Sequence, residues 1–158
     1  MKAISLWQPW ASLVAVAAKQ IETRSWATQY RGPLVIHAAL KWDARIREIA
    51  AEPRMRNLLA IDRWAIEYPY RLTRGAAVAL VDLVDVADIR SDCMIGQTDW
   101  KTYPLPTGNE LLFGNYTPGR YAWLFQNIRK LKTPVLLKGR QQLWTLKPEE
   151  IAAIEAAL

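Results

Sequence analysis

Three ionisable side chains in the segment Lys19-Gln20-Ile21-Glu22-Thr23-Arg24 form the densest chemistry of this chain. Glu22 and Arg24 stand two residues apart, the spacing that puts side chains on one face of a β-strand. Lys19 arrives from the turn just before them. A carboxylate placed this way can take a proton from water or a ribose hydroxyl while the cations hold an anion or oxyanion. It can equally accept a hydrogen bond from the exocyclic amine of a base, as carboxylates do with cytosine N4, with the cations on phosphate. A third reading needs no ligand: an ion-pair network that ties strands together. The residue types leave all three open, with Lys19 and Glu22 as candidate catalytic residues and Arg24 as a candidate ligand contact.

The rest of the chain narrows the menu. His37 is the only histidine and Cys93 the only cysteine. Paired-histidine acid–base catalysis, an internal disulfide and a recognisable zinc spacing are therefore excluded. Asp82, Asp85 and Asp88 recur every third residue, which does not keep them on one face of a strand. They read as hydrogen-bonding partners or solvated strand ends. Neither a phosphate-binding glycine loop nor a nucleophile elbow is present, so no metal or cofactor is expected. His37 reads first as a satisfied residue on a strand and second as a substrate contact. Trp7, Trp10 and Trp26 cluster around the charged segment. Most tryptophans belong in a core, because the indole buries a large area. Trp26 is the exception expected from alternation, which sets it on the face of Glu22 and Arg24 as a base-stacking platform. Tyr30 and Arg31, on the next turn, are further candidates for the same cleft.

Positioning these groups takes the following elements. Residues 2–7 read as a first strand, and Pro9 suits the first turn of a helix. Trp10, Leu13, Val14 and Ala17 then follow at helical spacing. The stretch 20–26 alternates as a strand, Tyr30–Pro33 is a turn, and LVIHAA is a compact apolar strand. From Trp42 to about Glu67 the composition is helical, with Pro53 dividing it. Gly75 opens the long strand AAVALVDLVDVADI. Residues 91–119, with three prolines and four glycines among them, read as the longest loop. RYAWLFQNIRKL, PVLLKG and LWTL read as strands, and Pro148 begins a terminal helix. This order predicts one α+β domain over residues 1–158.

Four segments in order resemble the ASCH family. The charged segment is similar to its signature Gly-x-Lys-x-x-Glu-x-Arg, with Ala17 in place of the glycine. SLWQPWASLV, YRGPLVIHAA, and GRYAWLFQNIRKL with LLKGRQQLW resemble the family's other segments. The resemblance implies a PUA-like β-barrel with helices inserted between the strands and a cleft for RNA or nucleotides. It also implies that the loop carrying Lys138, Arg140 and Gln142 stands near the cleft mouth. One branch of the family removes acetyl from N4-acetylcytidine, and a ribonuclease activity has been described. In the deacetylating branch a lysine at position 19 acts with a threonine at position 22, and here that threonine is an acid. A lysine base must shed its proton near neutrality, whereas an adjacent carboxylate stabilises the ammonium. That mechanism does not carry over. If position 17 needs a positive φ, its alanine is strained; if it belongs to the last helical turn, alanine fits well.

Charge points to the same partners. Between Leu111 and Pro148 stand seven cationic residues and no acid, in a chain of net charge +6. Such a concentration attracts phosphate. The expected function is binding of RNA, a nucleoside or a nucleotide in a basic cleft. The alternatives are a metal-independent hydrolase of an N4-acylated cytidine or of RNA, and a protein-interaction module. The opening MKAISLWQPW lacks a signal-peptide core and no apolar run reaches membrane length. These features predict a cytoplasmic protein without a membrane partner.

Overall fold

A run such as Leu34–Ala38, apolar but for one histidine, must be covered on both faces if it forms a strand. The computed structural model, which describes residues 1–59 and 72–158, meets that demand with an eight-stranded mixed sheet. The strands are β1 (Lys2–Leu6), β2 (Ile21–Arg24), β3 (Gly32–Ala38), β4 (Ala76–Ile89), β5 (Cys93–Gly96), β6 (Thr102–Pro104), β7 (Tyr121–Leu136) and β8 (Leu143–Thr145). The helices are α1 (Trp10–Ala15), α2 (Ala44–Ala51), α3 (Pro53–Leu58), α4 (Gly108–Phe113) and α5 (Pro148–Ala156). The sheet runs β2-β7-β4-β3-β1-β8, with the β5–β6 hairpin attached to β4. Strands β1 and β3 are parallel, joined by a crossover through α1 and β2.

Alternation divides the apolar strand residues between two cores. Ile4, Leu6, Leu34 and Ile36 meet Ala11 and Val14 of α1, with Trp123 and Phe125. Ala3 and Val35, from the opposite faces of the same strands, meet Trp144, Leu146 and Ile154 of α5. Both faces of β3 are thereby buried, as its sequence requires.

Three register shifts interrupt the β4–β7 ladder, at Ala77/Ala79, Leu80/Asp82 and Leu83/Asp85. Such bulges bend the strands that carry them. The bend brings β2 round to β1, its distant neighbour in the sheet order: Arg24 Nη2 donates to the Ser5 carbonyl at 2.8 Å. Edge strands β2 and β8 do not pair with each other among the described residues. The expected barrel is therefore a curled open sheet, bridged across its gap by a side chain.

Two sequence readings need correction. RYAWLFQNIRKL and the start of PVLLKG, as far as Leu136, run in one strand, β7, because the ladder skips from Ala79–Lys130 to Ala77–Val135. Pro134 falls in that skip, where its missing N–H breaks no ladder bond. The 91–119 stretch is not a bare loop but holds β5, β6 and α4. Helices α2 and α3 lie where Trp42–Glu67 was expected to be helical, with Pro53 in the first turn of α3. The part from 60 to 67 falls outside the described residues. No helix among the described residues is long and apolar enough to cross a membrane.

Candidate functional site

The site begins with the way α1 ends. Ala17 lies at φ 58°, in the left-handed region. Its N–H donates to Val14 O at 2.8 Å and the Ala18 N–H to Leu13 O at 2.9 Å. This is the Schellman arrangement, normally capped by glycine. The reversal turns the chain straight into β2 and drives Lys19 inward.

Lys19 is wholly buried. Its Nζ donates to the carbonyls of Ile21 and, at 3.1 Å, Phe113. Glu22 Oε2 stands 3.6 Å away and Glu110 Oε1 3.8 Å away. The ammonium thus joins β2 to α4 and balances two carboxylates. A charge this deep persists only with such partners.

Glu22 and Arg24 share a face of β2, as the spacing implies, and both line a cavity of about 460 Å³. Arg24 Nε lies 3.2 Å from Glu22 Oε1, at an angle that makes no hydrogen bond. Glu22 accepts no hydrogen bond from any described residue, although its side chain is only 14% exposed. Its lone pairs are held by charge attraction alone and remain free to accept. Trp7 and Trp10 line the same cavity. Trp7 is half exposed, with Lys41 Nζ 3.8 Å above its ring.

The opposite wall comes from the segment after β6. Glu110 accepts from the N–H groups of Gln20 at 2.8 Å and Ile21 at 3.1 Å. The Asn115 N–H donates to Thr23 Oγ1 at 2.9 Å. Arg120 donates to Thr23 O at 3.3 Å and Asn115 O at 3.2 Å. Behind this wall the Tyr116 hydroxyl is buried with no hydrogen-bond partner among the described residues. Burial first, then the charges of Glu110 and Glu22, pushes its pKa up, so the phenol keeps its proton. None of Glu110, Asn115 and Tyr116 was a sequence candidate. Glu110 carried one signal: it is the only acid between Asp99 and Glu149.

Several expected contacts lie elsewhere. Strand β2 ends at Arg24, so alternation does not reach Trp26, whose ring packs edge-on against Trp123 at 4.7 Å. Tyr30 packs against the main core and donates to Pro33 O, and burial raises its pKa. Arg31 pairs with Asp85 at 3.1 Å and is spent on that contact and on Thr28 O, Tyr30 O and Thr98. His37 is buried between Ser5 Oγ, at 3.0 Å, and Leu137 O, at 3.1 Å. Burial lowers its pKa against the contrary pull of the Leu137 carbonyl. The neutral ring donates from Nε2 to that carbonyl, and its Nδ1 faces Ser5 Oγ, whose hydroxyl also reaches Arg140 O at 3.1 Å. It sits under Gly139, where a Cβ would come within 2.4 Å of Cε1. Lys138, Arg140 and Gln142 are exposed in the loop before β8, and none of them lines the cavity.

Comparison with known proteins bears on this geometry. A family model described as the ASCH domain matches residues 4–135. Activating signal cointegrator 1 of Homo sapiens is 26% identical over 143 residues, and its counterpart in Mus musculus 25%. Each match takes in 90% of this chain, and the chain spans only 22% of the length of either relative. The crystal structure of ASCH from Zymomonas mobilis aligns with 98% of this chain and 93% of its own. Its identity is 15% and its TM-score 0.53, a likeness of fold.

Proposed function

The chain belongs to the ASCH-domain family, and from that premise we propose that the cavity between β1, β2 and residues 112–115 binds a nucleobase, carried by RNA or by a modified nucleoside. One observation carries the reading: Glu22 stands in the cavity wall with its acceptor sites unspent. A carboxylate so placed takes the exocyclic amine of cytosine or adenine, which offers the donor that uracil lacks. Trp7 and Trp10 supply aromatic surface beside it, and stacking on such surfaces is tolerant of sequence. Lys19 plays a positioning part. It is buried behind the wall, fixes Phe113 and holds Glu22 by charge.

Titration of the protein with cytidine, adenosine and uridine, followed by tryptophan fluorescence and calorimetry, tests the proposal. The amine-bearing nucleosides are expected to bind about tenfold more tightly than uridine, the scale of one hydrogen bond to a charged group. Glu22→Gln is expected to erase that preference with the circular dichroism unchanged. A preference that survives Glu22→Gln, or no saturable binding by any nucleoside, would overturn the reading.

The same free carboxylate supports a second reading, hydrolysis with Glu22 as general base. Incubation with N4-acetylcytidine and with short RNAs, read by mass spectrometry, decides it. Turnover abolished by Glu22→Gln supports this reading; no turnover removes it.

A further inference from the structure

Arg120 stands in the lining of two cavities. One is the cavity of Glu22 and Arg24; the other, of about 400 Å³, lies between the end of β4 and the turn at 118–121. The second cavity is walled by Asp88, Arg90, Ser91, Pro118 and Tyr121 on either side of Arg120. Residues 118–121 are tied to β4 by backbone bonds, Gly119 N to Ile89 O at 3.1 Å and Ile89 N to Arg120 O at 2.9 Å.

The charges around the two cavities cancel almost completely. In the first, Glu22 faces Arg24 at 3.2 Å, and behind the wall Glu110 faces Lys19 at 3.8 Å. In the second, Asp88 faces Arg90 at 3.5 Å. Arg120 has no acidic partner among the described residues and spends donors only on two carbonyls. The remaining donors of its guanidinium are free. The two cavities together therefore carry one surplus positive charge, and it lies at their junction. Each has aromatic surface, Trp7 and Trp10 in one and Tyr121 in the other.

One positive charge between two partly apolar cavities fits one negative charge between two flat groups. A phosphodiester joining two nucleosides has that form. A free nucleoside brings no charge to Arg120, and a phosphomonoester brings about −1.5 to −2. We propose that the ligand is a dinucleotide step of single-stranded RNA, one base beside Glu22, the phosphodiester on Arg120 and the neighbouring nucleoside against Tyr121. This rests on the first cavity being the nucleobase site.

Calorimetry with cytidine, cytidine 3′-monophosphate and the ribodinucleotides CpA and ApC separates the possibilities. The better dinucleotide is expected to bind about tenfold more tightly than cytidine, the scale of one charge-assisted contact. It should also outbind the monophosphate. Arg120→Gln is expected to remove that margin, so that dinucleotide and cytidine bind the variant equally. Ser91→Glu, an exposed change at the second cavity, should lower dinucleotide affinity alone. The inference is overturned if neither dinucleotide exceeds cytidine, if the monophosphate equals them, or if the margin survives Arg120→Gln. Cytidine binding without a dinucleotide margin sinks this inference only; no binding by any of the four ligands sinks the nucleobase site with it.

Discussion

Asp85 and Glu22 invite comparison, since each is a carboxylate of the sheet facing an arginine at a similar distance, 3.1 Å from Arg31 and 3.2 Å from Arg24. Their remaining partners differ. Asp85 accepts from Val86 N and Thr98 Oγ1 at 2.8 Å, from Tyr103 Oη at 3.1 Å and from Thr98 N at 3.3 Å. It touches so closely that a Cβ on Gly96 would fall 2.1 Å from Oδ2. Glu22 has charges beside it and no hydrogen-bond donor among the described residues. A buried acceptor with its bonds made is an anchor, and one left unmade is a cost that a protein retains for a reason. Asp85 binds the β5–β6 hairpin to β4 and to the 28–31 turn; Glu22 waits on a cavity.

The sharpest way to break this contrast is to remove each carboxylate in turn. Asp85→Ala leaves Arg31, Tyr103 and two backbone N–H groups without their acceptor. It is expected to cost about 3 kcal/mol, the lower end for breaking a buried ion pair, measured by urea denaturation. Glu22→Gln should change stability by less than about 1 kcal/mol while abolishing base preference. Equal losses from the two changes would erase the distinction between anchor and site.

Acid sharpens the same comparison. Burial by itself would raise the Asp85 pKa, but hydrogen bonds from Thr98, Val86, Tyr103 and Arg31 outweigh it and hold the value below 3.8. Stability from a depressed carboxylate is complete above its unfolded pKa and drains as pH falls through the folded value. Thermal unfolding of the wild type is therefore expected to lose stability below about pH 4, and Asp85→Asn, less stable at pH 7, should lose less over that window. His37 contributes in a higher window. Its folded pKa lies below 6.5, so the unfolded chain takes up the proton first and stability falls as pH drops below about 6.5. A His37→Gln variant should flatten that smaller step.

How far the sequence disclosed this arrangement depends on the range of the interactions. The β2 spacing placed Glu22 and Arg24 on one face, because period-2 alternation is a property of four consecutive residues. The same rule failed two residues later at Trp26, since it says nothing of where a strand stops. The apolar run of β3 disclosed a strand covered on both sides. Glu110 and Arg120 were not legible as parts of the site. Glu110 reaches Gln20 and Lys19 across about ninety residues of chain, and only the fold brings them together. Arg31 was assigned to the cleft by nearness in sequence, while Asp85, fifty-four residues on, claimed it. The basic run from Arg120 to Lys147 read as one patch. In the fold only Arg120 of that run lines the Glu22 cavity.

The smallest effect tests how the ionic cluster is placed. Ala17 occupies a left-handed position, φ 58°, that costs an L-residue about 1–2 kcal/mol relative to glycine. Glycine gives back part of that through greater freedom in the unfolded chain, about 0.4–1 kcal/mol. Ala17→Gly is therefore expected to stabilise the protein by about 0.5–1 kcal/mol, seen as a raised urea midpoint at constant slope. The cap keeps its two hydrogen bonds, so Lys19 should enter the sheet as before and cytidine affinity should not move. If glycine instead weakens cytidine binding while raising stability, then the strain at Ala17 helps set the Lys19–Glu22 distance. The site would then begin one turn earlier than Glu22, in the alanine that stands where the family has glycine.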